Sequence, residues 1–468
     1  MEQATGGKPQ KVVEPYSVTL NQTDLSYGQK GHNKFYIIQV LEGYSLYTEW
    51  GRVGVANPSC KLEPCASKEQ AIELFKKKFR SKTANDWGQP FTPVEGKYQM
   101  VDVQSGAKRA QTAAKLENKR RQLSQEAMKF QMHCNPQVGD LMGFIWDFER
   151  MKKTMKELNF DPQNCPLGQL SKQQIQKGYK ILKSLKNEIT TSKRESKILD
   201  LSNQFYTHIP QSFGMNRPPP INHMMKLREK LTLLDTLADL EIANTLSVRS
   251  LQMLKTTHPY DVYLSQLNCR IHPADLATLS FLQELVTSTT SHEFSLTVTE
   301  AFTIDRPQEN PSFWPFSKLP NQKLLWHGSR VTNFVGILSK GLRVAPKEAP
   351  SSGYMFGKGI YLADLSSKAA QYCRVSQGEG LLLLCQVALG NMHEVKSACA
   401  FKKPPKGYHS VKGVGRNAPT SCTQLDSVEV YSGNITEQEP SSDLKFNEYI
   451  VYDVGQVKVK YLLKCTFN

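Results

Sequence analysis

The spacing of apolar residues changes twice along the chain, and this constrains the fold more than any other feature. Lys34-Phe-Tyr-Ile-Ile-Gln-Val-Leu41 is β-branched and aromatic, and Tyr44-Ser-Leu-Tyr-Thr-Glu-Trp50 alternates with period two before Gly51. Both patterns belong to strands. Ser67-Lys-Glu-Gln70 then reads as a capping box opening a helix with Ala71, Leu74, Phe75 and Phe79 on one face. From 138 to 250 the period is helical. Ser171 to Gln174 repeats the capping pattern, and Ile175, Leu182, Leu185 and Ile189 follow on one stripe. After Pro218-Pro219-Pro220, a second stripe holds Leu227, Leu231, Leu234, Ala238 and Ile242. Beyond 251, strand-like runs return at Lys323–Trp326, Gly359–Leu362, Leu381–Leu389, Glu448–Tyr452 and Val457–Cys465, separated by Gly/Pro-rich loops.

The pattern predicts a multidomain α+β protein. A polar, disordered N-terminus covers 1–15, and a small β-sheet/helix module covers 16–103. A charged linker spans 104–137, an all-α bundle 138–250 and a mixed α/β domain 251–468. No 20–50-residue repeat is visible. The longest purely apolar run, Leu381–Cys385, is far short of the ~20 residues a membrane helix needs. The first residues lack the apolar core of a secretion signal. The ten cysteines contain no C-x-x-C pair, which argues against a zinc finger or a disulfide framework. Reduced thiols in a cytosolic or nuclear protein are the expectation.

The formal charge is +16, and it is uneven. Residues 1–137 carry 20 basic and 13 acidic side chains, against 22 and 18 in 251–468. Such a balance suits a polyanionic partner or simple solubility. Lys119-Arg120-Arg121 in the linker is a candidate nuclear-import signal.

Several familiar motifs fail. Gly413-Val-Gly-Arg-Asn-Ala418 has a dinucleotide-like spacing, but Pro419 follows at once where a helix should begin. Gly353–Gly359 lacks the spacing and the Ser/Thr of a phosphate loop. What remains is a set of polar residues in apolar strands. His327 follows Leu324-Leu-Trp326 and precedes Gly328, whose backbone allows close approach of a ligand. Tyr361 sits among glycines in Gly357-Lys-Gly-Ile-Tyr361, and Tyr372 follows Lys368 on a helical stretch. Glu448, Ile450 and Tyr452 share one strand face, where a carboxylate is costly unless paired.

L-L-W-H-G-S-R, G-L-R-V-A-P, G-Y-M-F-G-K-G-I-Y-L-A-D and N-E-Y-I-V-Y, in that order, resemble the catalytic domain of the poly(ADP-ribose) polymerases. Residues 16–103, with Trp50-Gly51-Arg52, resemble the WGR domain. Residues 138–250, with C-P-L-G-Q-L-S and L-L-D-T-L-A-D-L-E-I, resemble the family's helical regulatory domain. Without zinc-finger cysteines the chain resembles the smaller, DNA-dependent nuclear branch.

The resemblance implies cleavage of NAD+, as substrate and without a metal, and transfer of ADP-ribose to acceptor proteins, including the chain itself. It implies that Glu448 stabilises the ribose cation, that His327 donates to the adenine-side ribose and that Tyr361 and Tyr372 sandwich the nicotinamide. It implies that Gly328 presents its backbone to the carboxamide and that Ser329, Arg343 and Lys368 line the pocket. His327, Tyr361 and Glu448 match the family's catalytic signature for polymer-forming members. Trp50, Arg52 and Lys82 would contact broken or nicked DNA, which would release a block by the helical domain. An accessory factor completing the site is a further implied partner. A mono-ADP-ribosyltransferase and a DNA-end-binding scaffold are the alternatives. One position departs from the family: Ala369 stands where a serine hydroxyl usually meets the carboxamide.

Overall fold

The computed structural model describes residues 11–101, 118–160, 171–291, 295–350, 354–375 and 377–468. Most of the expected disordered N-terminus, linker residues 102–117 and most of C-P-L-G-Q-L-S lie outside the described residues. The chain divides into two compact units. The first comprises 1–121, 148–241 and 348–350, and the second 122–147, 242–347 and 351–468.

In the first unit, β1 (Val12–Asp24), β2 (His32–Leu41), β3 (Ser45–Arg52), β4 (Ser59–Pro64) and β5 (Gln99–Met100) form an antiparallel sheet in the order β4-β3-β2-β1-β5. Tyr36, Ile38 and Val40 of β2 face the helix Lys68–Thr83 and pack on its Ala71, Phe75 and Phe79. The Ser67 hydroxyl accepts from Gln70 N–H, as a cap should. Gln70 reaches back to the amide of Ala66, at 2.6 Å, one residue earlier than a capping box requires.

Phe35 and Ile37, on the opposite face of β2, are buried as well. A strand covered on both faces reads as a continuous apolar run rather than an alternating one. Helix Glu195–His208 and the segment after it are bonded to β1 and β2. Asn21 Nδ2 donates to the Thr207 carbonyl at 2.9 Å, and Asn33 Nδ2 donates to the Gln211 carbonyl, also at 2.9 Å. The expected helical character of 138–250 is present. Helices are its only regular elements among the described residues, and those between 148 and 208 group with the N-terminal sheet, whose second apolar side they help to bury. Ser171 and Gln174 do form the reciprocal capping box.

In the second unit, a seven-stranded sheet runs in the order β13 (Asn417–Leu425), β14 (Val428–Glu437), β8 (Gln322–Gly328), β10 (Gly378–Ala388), β16 (Val457–Phe467), β7 (Leu296–Asp305) and β6 (Arg270–Pro273), and a four-stranded one in the order β11 (Met392–Val395), β12 (Ser410–Gly413), β15 (Glu448–Val451) and β9 (Ile360–Leu362). The Leu381–Cys385 run is fully buried in β10, between β8 and β16 (Val457–Phe467). The two sheets meet at Trp326 and Ala363, which exchange backbone bonds of 2.8 and 2.9 Å.

Part of the expected linker is structured. Residues 118–127 are helical, and Leu123 and Ala127, with Phe130 beyond them, pack on Leu254 and Val262. Their i, i+4, i+7 spacing gives the reason, and the charged residues between them conceal it in the sequence. Among the described residues no helix is long and apolar enough to cross a membrane.

Candidate active site

Strands β8, β9 and β15 and the short helix Ser366–Ala370 line an open cleft. Its lining includes His327, Gly328, Tyr361, Lys368, Ala369, Tyr372 and Glu448. Residues up to 121 positions apart in sequence converge because the Trp326–Ala363 bridge lays β8 against the end of β9. Then β9 pairs with β15, with Leu362 opposite Tyr449.

The His327 ring is anchored on one side. Its Nδ1 is 2.9 Å from the Tyr361 carbonyl oxygen. A carbonyl only accepts, so Nδ1 carries a proton. Burial holds the imidazole below its ordinary pKa, against the opposing effect of that bond. Burial thus favours the neutral ring, in which Nε2 would accept a hydrogen bond.

Tyr361 is held at its tip. Its hydroxyl donates to the Gly357 carbonyl at 2.7 Å and accepts from the Phe356 amide at 2.9 Å. This leaves the ring, not the hydroxyl, available to the cleft. Gly357 has φ +86°, and a Cβ there would lie 1.9 Å from the Phe401 carbonyl oxygen, so the anchor requires glycine. Tyr372, on the turn Gln371–Cys373, is 48% exposed and forms the open side.

Glu448 opens β15 and is paired, as its strand face demands. Lys368 Nζ lies 2.9 Å from its Oε1, and both side chains are largely buried. Burial pulls the Lys368 ammonium down, but Glu448 and Tyr372 outweigh it, and the net shift is upward. The pair is thus a fixed charge couple at the cleft wall.

Gly328 and Ala369 touch closely. A Cβ on Gly328 would sit 1.9 Å from the Ala369 carbonyl oxygen. Two expected residues lie outside the lining. Ser329 Oγ accepts from Asn333 Nδ2 at 3.0 Å, and Arg343 is exposed.

Sequence reasoning missed a buried cluster behind Glu448. Asp364 is 1% exposed, and its Oδ2 accepts from Asn447 Nδ2 at 2.6 Å and from the Tyr449 hydroxyl at 3.3 Å. Asn447 Oδ1 in turn accepts from the Gly415 amide at 2.8 Å. The neighbours of Glu448 on both sides are therefore held by one carboxyl. Burial pushes the Asp364 pKa up to about 6, despite those bonds. A carboxylate closing the apolar run Ile360-Tyr-Leu-Ala-Asp364 was the available signal.

The first unit carries the expected DNA residues. Trp50 stacks on Tyr36, with ring centroids 5.7 Å apart and planes at 13°. Lys82 Nζ lies 4.4 Å from the Tyr36 ring centre. Burial lowers the Lys82 pKa, and Lys78 and Lys97 lower it further. Crowded cations of this kind favour an incoming anion. Arg52 is differently occupied. Its guanidinium donates to four carbonyls, of Lys30, Gly31, Gly214 and Asn216, at 3.0–3.2 Å.

Residues 279–467 match the poly(ADP-ribose) polymerase catalytic domain, 133–263 the family's regulatory domain and 16–92 the WGR domain. The chain is 43% identical to poly(ADP-ribose) polymerase 1 of Xenopus laevis over 99% of its own length, but it spans only 46% of that relative. It is 37% identical to human poly(ADP-ribose) polymerase 2, covering 97% of this chain and 80% of the relative. The corresponding protein of Arabidopsis thaliana is 36% identical, with 98% and 74% covered. On its three matched domains and on identity sustained across most of two relatives, the chain belongs to the poly(ADP-ribose) polymerase family.

Proposed function

We propose that the chain is a nuclear, DNA-break-activated transferase that moves ADP-ribose from NAD+ to proteins, itself included, and elongates the product. The observation that carries this reading is the convergence of His327, Tyr361 and the Lys368-paired Glu448 from three separate strands on one cleft.

The residues fit the substrate. The Tyr361 and Tyr372 rings supply aromatic faces for a nicotinamide. Gly328 leaves backbone accessible to its carboxamide. Neutral His327 accepts from a ribose hydroxyl through Nε2. When the bond between nicotinamide and ribose breaks, its electron pair leaves with the nicotinamide and positive charge builds on the sugar. Glu448 is placed to stabilise that charge and to orient the acceptor hydroxyl, whose oxygen forms the new bond to the sugar and whose proton is released. Lys368 fixes the direction of the carboxylate.

Trp50 and Lys82 form the DNA-facing part, a stacking ring beside a cation. Measuring NAD+ turnover with and without nicked duplex DNA tests the reading. Stimulated turnover with polymer on a gel is expected. Single-unit product would refute elongation, and no DNA-stimulated product would leave only a DNA-end-binding scaffold.

Ala369 gives a second test. Ala369 lies in the cleft lining, at the position where the family resemblance implies a serine hydroxyl. One recovered hydrogen bond is worth about 0.5–1.5 kcal/mol, so Ala369→Ser should lower KM for NAD+ by roughly two- to tenfold with little change in kcat. An unchanged KM would show that this position does not set substrate affinity.

A further inference from the structure

The loop between β11 and β12 carries a charge pattern that the proposed chemistry does not use. Its residues, 396–409, hold four lysines and no acid. One of them is neutralised by a neighbour: Lys396 pairs with Glu439 at 3.0 Å. Lys402, Lys403 and Lys406 are exposed and have no carboxylate partner among the described residues.

The loop is held in place. The Phe401 amide donates to the Phe356 carbonyl at 3.2 Å, and Phe401 packs in the cluster around Ile450. The Phe401 and Tyr408 rings both contact His393, at 5.5 and 5.1 Å between centroids. Asn391 Nδ2 donates to the Gly407 carbonyl at 3.3 Å.

Its position relates it to the cleft. Ile450 shares a strand face with Glu448, so Phe401 anchors the loop on the face that carries the carboxylate. The same Phe356–Gly357 segment that grips Phe401 also grips the Tyr361 hydroxyl. In the register, Gly413 opposes Glu448 and Ser410 opposes Val451. The loop thus enters β12 three residues, about 10 Å, from the catalytic end of the sheet.

We propose that Lys402, Lys403 and Lys406 form a track for the phosphates of the growing ADP-ribose chain beside the cleft. This inference rests on the transferase reading above. Each added unit brings two phosphates, and three unpaired cations on an ordered loop complement such a polyanion. DNA has similar charge, but the loop's attachment to the catalytic sheet, through residues that also position Tyr361, favours the product.

The test uses the full chain, saturated with nicked duplex so that its DNA site is filled. A fluorescent ADP-ribose oligomer of defined length is titrated by anisotropy across a salt series. The triple variant Lys402→Ala/Lys403→Ala/Lys406→Ala should bind the oligomer roughly tenfold more weakly, with a salt slope shallower by about 2 for three lost phosphate contacts. It should also make shorter chains, with KM for NAD+ unchanged. Replacing all three by Arg should restore binding. Equal oligomer affinity in wild type and triple variant would overturn the proposal. So would a proportionate loss of affinity for nicked DNA by the variant, which would make the loop a DNA surface. Oligomer binding requires no chemistry. Absence of NAD+ turnover in the wild type would therefore count against the transferase reading, while the binding titration would still decide what the loop holds.

Discussion

Glu448→Gln should lower kcat by roughly 10²- to 10³-fold and abolish chain elongation, the scale expected when a positioned group that stabilises transition-state charge is removed. The substitution keeps the side-chain shape and removes the charge. Strand β15 should survive it, because Asp364 still holds Asn447 and Tyr449 on either side. The cost to stability is modest. The Gln oxygen can still accept from Lys368, but the ammonium loses its counter-charge in a wall where the two side chains are only 17% and 9% exposed. About 1–3 kcal/mol is expected from one weakened charged hydrogen bond, smaller than the loss on breaking a fully buried pair. Combining Glu448→Gln with Lys368→Met separates the two effects. If Glu448 acts on the substrate, the double variant regains stability but not rate. Long chains made by Glu448→Gln would sink the role assigned to the carboxylate.

Much of the site was legible, for an identifiable reason. Glu448 stood out because a carboxylate on an apolar strand face needs a partner, and the structure supplies Lys368. His327 and Tyr361 stood out beside glycines, and Gly357 and Gly328 are indeed places where a side chain would collide with backbone. Sequence periodicity reports which face of an element is buried but not what covers it. Hence β2 was recognised as a strand, while its helical cover from 195–208, more than 150 residues away, was not. The same limit hid Asp364 and Asn447, which are 83 residues apart and meaningful only as a pair. The helix at 118–127 escaped because Leu123 and Ala127 are sparse among charges and become informative only once Leu254 and Val262 are placed against them.

Arg52 is an expected DNA contact, and its guanidinium also bonds the backbone of two segments. Its four carbonyl partners lie on two segments: Lys30 and Gly31 in the turn before β2, and Gly214 and Asn216 in the loop that follows helix Glu195–His208. The approach is tight elsewhere too, since a Cβ on Gly54 would lie 1.9 Å from the Ser212 hydroxyl. A phosphate ligand would keep its donors free, whereas this fork clamps the helical loop to the sheet that carries Trp50. Arg52→Ala should therefore reduce DNA-stimulated NAD+ turnover by roughly 10- to 100-fold, the range of a 1–3 kcal/mol coupling, and leave the DNA-free rate unchanged. Arg52→Lys decides between the two roles. A lysine keeps the charge and would preserve most of a phosphate contact. It offers three donors on a single nitrogen and cannot span four separated carbonyls as a planar guanidinium does. If the clamp transmits DNA binding, Arg52→Lys behaves like Arg52→Ala in the stimulation assay while nicked-DNA affinity at fixed salt stays within a few-fold of wild type. Full stimulation by Arg52→Lys would return Arg52 to the phosphate backbone and leave the coupling to other contacts between sheet and helices.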